Sequence, residues 1–156
     1  MNKSNTLKIT LEILWWIITA IAVWAVLYPI YKAMHVWPFE ITNVFFVVVL
    51  ITLTRYIFLL RHTFINKQQV LKIALMLLMF PLCFWLIERI NEFLGFIEEQ
   101  TWEPLTGHLP ISQRPVIEDY IWAEMLFFGV GSAIAAPAFA IRMMLSIWRT
   151  RNRGTI

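Results

Sequence analysis

The chain reads as an all-α polytopic membrane protein, with four transmembrane helices in an antiparallel bundle and both termini on the cytoplasmic side. Three observations lead there. Of its 156 residues, 60% are hydrophobic and only 15% charged, with a mean hydropathy of +0.68. That is more apolar surface than one soluble core of this size encloses. The apolar residues also gather in four runs, at about 8–31, 40–60, 69–90 and 120–148, each near or above the roughly 20 residues that cross a bilayer as a helix. Finally, "FFVVVL" and "IALMLLMF" do not alternate as barrel strands must. Hydrocarbon leaves only helices and closed barrels, because every backbone donor and acceptor needs a partner within the protein.

The first run follows Lys3 and Lys8 and contains Ala20-Ile21-Ala22, the small-residue pattern of a secretory cleavage site. It nevertheless continues through "VWAVLYPIY", and Glu12 interrupts its early part, so a retained helix over about 8–31 is expected. The second run, 40–60, carries Arg55 about two turns from its end. The third contains Pro81 and Cys83; Ile87, Ile90, Leu94 and Ile97 keep helical spacing and should carry that helix to about residue 97. Residues 98–117 then form an outer link too short for a domain, whose prolines argue against one long helix. Trp102 and Leu109 suit a segment lying at headgroup level or capping the bundle.

The fourth helix, expected over about 118–148, differs in kind. Gly129, Ala133, Ala136 or Pro137, and Ala140 fall on one helical face, and Ser132, Ala136 and Ala140 form an adjoining small stripe. Lipid tails are as apolar as leucine, so helices associate in membranes through close backbone approach and interhelical polar contacts, which small residues permit. This helix should be the one that the others, or a second subunit, pack against. Pro137 should kink or loosen it near residues 133–137.

Basic residues set the orientation. Placing both termini and the 61–69 link on one side gathers Lys3, Lys8, Arg55, Arg61, Lys67, Lys72, Arg142, Arg149, Arg151 and Arg153 there, against Glu12 alone. The other side holds Lys32, Arg89 and Arg114 against all remaining acidic residues. Basic loops stay in the cytoplasm, which predicts a cytoplasmic (inner) membrane protein with both ends inside, its basic face against anionic lipid. Because the basic groups line a membrane boundary, nucleic acid is not an expected partner.

Charged residues inside the runs are the candidate functional or ion-pairing set: Glu12, Arg55, Glu88, Arg89, Glu124 and Arg142. Glu12 and Arg55 lie at similar depth on consecutive helices and suggest an ion pair, with Arg142 as a rival partner for Glu12. Arg89 can assist Glu92 at i, i+3 or reach across to Glu124. Adjacent residues point about 100° apart on a helix, so Glu88 is expected to bind a cation, hold a proton or meet Arg114.

Catalytic and cofactor classes find little footing. One cysteine cannot form a paired-thiol relay, and His35, His62 and His108 have no ligand spacing for haem or metal. There is no phosphate loop, zincin motif, nucleophile elbow or internal repeat. No cofactor, metal site or catalytic residue is expected. The favoured reading is a small membrane subunit or accessory protein that assembles with other membrane proteins or with itself through the helix-four face. Its alternatives are a small-ion or solute transporter or channel with Glu88 and Glu124 in an outer acidic vestibule, and a membrane enzyme acting on lipid or quinone.

Overall fold

A computed structural model of the chain describes residues 3–34, 36–60, 63, 65 and 68–152, with side chains from residue 6 onward. Among the described residues all regular structure is helical: α1 (Lys3–Ala33), α2 (Glu40–Leu59), α3 (Gln69–Gln100), a single turn α4 (Glu103–Thr106) and α5 (Arg114–Asn152). Four of these helices are long and apolar enough to cross a membrane, so the molecule has the build of a small multi-pass integral membrane protein.

Except for α2, the helices outrun the apolar stretches that announced them. At 1.5 Å per residue, α2 measures about 30 Å, the thickness of a hydrocarbon core, whereas α3 reaches about 48 Å and α5 about 58 Å. Helix α3 passes through Gly95 and the helix-favouring Glu98 and Glu99 before it stops. The stop is Thr101, at φ 60°, whose N–H still donates to the Ile97 carbonyl at 3.0 Å. A β-branched residue at positive φ is strained, and the surrounding turn holds it there.

Helix α5 is the hub. It packs along both α3 and α2, while α1 meets α2 and only part of α5. Of its buried residues, Ile121, Met125, Gly129, Ser132, Ala136, Phe139 and Met143 recur every three or four positions and so define one face, with Glu124 and Ala135 beside it. A Cβ added at Gly129 would come within 2.9 Å of the Phe46 ring and 3.0 Å of Ile90, so glycine there lets α2 and α3 close on α5 together. Ser132 Oγ donates to the Phe46 carbonyl at 2.8 Å and ties α5 to α2.

Pro137 does not break α5. It supplies no N–H to the Ala133 carbonyl one turn back, and the Cys83 thiol of α3 lies 3.6 Å from that oxygen as its donor. A neighbouring helix thus takes over the hydrogen bond that the proline removed, which is how membrane helices tolerate proline.

The short turn α4 caps the link end of the bundle. Leu105 and Thr106 are buried, and Trp102 lies edge-on to Phe93. Phe93 also meets Phe39 and Trp122, which together form an aromatic layer across the helix ends. Arg114 fastens this cap: its guanidinium donates to the Leu109 carbonyl at 3.0 Å, to Glu103 at 3.1 Å and to the Gly107 carbonyl.

Candidate functional site

The sequence-derived polar candidates separate into three groups. In the first, Arg55 Nη2 lies 2.8 Å from Glu12 Oε1, across α1 and α2. Arg55 is 8% exposed and stands over the rings of Trp15 and Tyr56 at 5.5 and 5.3 Å. Aromatic faces therefore enclose the guanidinium while the carboxylate neutralises it. Arg142, the rival cation, is engaged elsewhere. Its Nε donates to the Ile57 carbonyl at 3.0 Å, in the last turn of α2, where carbonyls lack intrahelical partners and a positive charge is favoured.

The second group lies along α3. Arg89 binds Glu92 at 2.5 Å and reaches back to Glu88 at 3.5 Å. Of the two partners expected for Arg89, Glu92 and Glu124, it takes Glu92, and it also meets Glu88, for which no local partner was expected. Helical geometry separates the Cα–Cβ directions of neighbours, but a long guanidinium bends across that angle. Arg114, the other cation considered for Glu88, is held in the link by Glu103. Glu88 itself is 68% exposed.

The third group is the most enclosed, and half of it was missed. Glu124, 6% exposed on α5, accepts a hydrogen bond at 2.9 Å from Asn43 Nδ2 of α2. Asn43 is fully buried. The remaining oxygens, Glu124 Oε1 and Asn43 Oδ1, are buried and accept no hydrogen bond among the described residues. One signal in the sequence pointed to Asn43: an amide inside an apolar run is a typical interhelical adhesive in membranes. Glu88 and Glu124 consequently sit in different surroundings, one open and paired with arginine, the other sealed and paired with an amide.

The small-residue set behaves as one surface with one exception. Gly129, Ser132 and Ala136 are buried, and Ala133 and Ala140 pack against the core, whereas Pro137 faces outward. Along this face Gly129 lies against Phe46 of α2 and Ile90 of α3, and Ser132 is bonded to α2, so the chain's own helices occupy it.

Further polar contacts were not read from sequence. Lys72 of α3 is wholly buried and donates to Ser146 Oγ of α5 at 2.9 Å; Tyr120 donates to the Val26 carbonyl of α1 at 2.7 Å; and Thr106 donates to Glu118. Among the described residues no group of three or more His, Cys, Asp or Glu is placed to hold a metal ion. His108 contacts the Ala33 carbonyl at 3.0 Å, while His35, His62, Arg61, Lys67 and Arg153 lie outside the described residues.

Between α1 and α2 runs a shallow cleft of about 380 Å³, with Thr19 and Ala20 between the flanking rings of Trp16 and Trp24. It is predominantly apolar, and Tyr31, whose hydroxyl donates to Glu40 at 2.7 Å, is part of its lining.

Comparison with protein-family models, with curated proteins and with solved structures finds no match.

Proposed function

We propose that the protein is a small membrane subunit or accessory protein of the cytoplasmic membrane, which assembles with other membrane proteins or with a second copy of itself. The observation that carries this reading is the unequal packing of the spans. The most apolar windows of α1 and α3 are each 17% buried against 39% for α5, but α3 packs along α5 whereas α1 joins the others along one flank. Without a hydrophobic drive between helices in lipid, a span held by so few contacts gains from a partner helix. Because α2 and α3 fill the small-residue face of α5, the α1–α2 cleft is the surface we assign to assembly. Small Ala20 and Thr19 between Trp16 and Trp24 suit the close approach of a transmembrane helix from another membrane protein.

The orientation belongs to the same proposal: consecutive spans antiparallel, both termini cytoplasmic, and the basic end against anionic lipid. The transporter reading gains less support, since an outer vestibule would need Glu88 and Glu124 together.

Photo-crosslinking in native membranes tests the assembly. A crosslinker at Trp24, 63% exposed, should capture a protein, whereas one at Phe84, 73% exposed on α3, should capture lipid. A self-adduct from Trp24 would identify the partner as a second copy. Lipid adducts alone from Trp24, together with a lone monomer in mild detergent, would overturn the proposal.

A further inference from the structure

We propose that Asn43 and Glu124 form a proton-binding site: the Glu124 carboxyl takes up a proton on Oε1 and donates it to Asn43 Oδ1, closing a two-bond amide–acid ring between α2 and α5. The inference does not depend on the assembly proposed above. It begins from the way the pair is left incomplete. Asn43 Nδ2 already donates to Glu124 Oε2 at 2.9 Å, and each partner retains one buried oxygen that accepts nothing among the described residues. An ionised carboxylate only accepts hydrogen bonds, and so does an amide oxygen, so these two atoms cannot satisfy one another. A single proton changes this. A protonated carboxyl has one donor and one acceptor, matching the acceptor and donor of a primary amide, and both orphaned oxygens are then used at once.

The surroundings favour the neutral form. Asn43 is fully enclosed and Glu124 is 6% exposed, beneath a link-end layer built from Phe39, Phe93 and Trp122. A buried charge is costly unless it is paired. The ionisable groups on the neighbouring elements are committed to other partners. Tyr120 on α5 donates to the Val26 carbonyl, Tyr31 of α1 donates to Glu40 of α2, and Arg89 of α3 is held by Glu92 and Glu88. Uptake from the aqueous phase forms one O–H bond and turns a carboxylate into an uncharged acid, with no other reactant.

Infrared difference spectroscopy on the full chain in lipid bilayers, with carbon-13 glutamate, tests this. At neutral pH the wild type should show an isotope-sensitive protonated-carboxyl band that is lost in Glu124→Gln and kept in Glu88→Gln. The band should move to higher frequency in Asn43→Leu, where the acid loses its amide partner. Glutamine reproduces the donor and acceptor pattern of the acid. Glu124→Gln should therefore melt at an unchanged temperature across the neutral to alkaline range, while the wild type loses stability as pH rises. Absence of the band at neutral pH in the wild type, or its persistence in Glu124→Gln, would overturn the assignment. So would a sodium- or lithium-dependent rise in melting temperature that Glu124→Gln abolishes, since the ligand would then be a metal cation. Should Glu124→Gln fail to fold, the wild-type spectrum and the Asn43→Leu shift decide the question.

Discussion

Glu12 meets Arg55 as opposite charges 2.8 Å apart, with Glu12 still 23% exposed, whereas Asn43 meets Glu124 as amide and carboxyl at 2.9 Å, with the amide fully enclosed. In the first contact a counter-charge removes most of the burial cost, and two aromatic rings shield the cation. In the second a hydrogen bond does so only in part, and two oxygens remain without donors. The difference shows two ways in which a lipid-embedded fold accommodates a carboxyl group. One carries its neutralising partner in the sequence; the other depends on what the packed helices admit.

The largest expected effect breaks the first contact. Arg55→Met should lower the unfolding free energy in bicelles by about 3 kcal/mol, because Glu12 loses its counter-charge. Glu12→Leu combined with Arg55→Leu should recover most of that loss, since removing both charges also removes the desolvation cost. A double variant as unstable as the single one would show that the aromatic packing, and not the ion pair, holds α1 to α2.

A second variant asks whether the other polar contact depends on the close approach of α2 and α5. Gly129→Ala places a methyl group against Phe46 and Ile90, both buried, and should cost about 1–3 kcal/mol through overpacking. Phe46 lies one turn from Asn43, so the same variant should loosen the Asn43–Glu124 contact, visible as altered amide exchange at Asn43. Unchanged exchange would separate the polar contact from the small-residue seam.

Asn43→Leu should cost about 1–2 kcal/mol, since Glu124 then loses its donor. In equilibrium unfolding at neutral pH, Glu124→Gln should stay within about 1 kcal/mol of wild type, because both hydrogen-bonding sites of the amide remain matched. Equal losses in the two variants would erase the contrast with Glu12–Arg55.

The smallest effect concerns the proline. Cys83→Ala removes the donor to the Ala133 carbonyl and should cost about 0.5–1 kcal/mol, with Cys83→Ser close to wild type. A loss larger than that of Asn43→Leu would make the proline site, and not the Glu124 site, the dominant interhelical polar contact.

Depth along the chain singled out Glu12 and Arg55, because counting residues from a membrane boundary is sufficient to bring opposite charges level. For Arg89 the i, i+3 spacing named Glu92, which it meets, while the reach to Glu124 was not taken and the contact with Glu88 came from the flexibility of the guanidinium. Counting could not find Asn43. A polar residue 81 positions away becomes a partner only through the rotation of two helices about their axes, and apolar runs do not encode that rotation.

What the sequence determined by itself is the number of membrane-length helices and their approximate ends, since lipid requires each span to satisfy its own backbone and a 20-residue apolar run admits few alternatives. It also marked α5 as the span of close contact, through the spacing of its glycine, alanine and serine residues. Only the tertiary structure decided that α2 and α3 fill that face, that a thiol replaces the hydrogen bond lost at Pro137, and that Glu124 is sealed against an amide. The physical reason is directional. Length and hydrophobicity are properties of a single helix, whereas a hydrogen bond between helices requires their rotation and offset to match within a few tenths of an ångström.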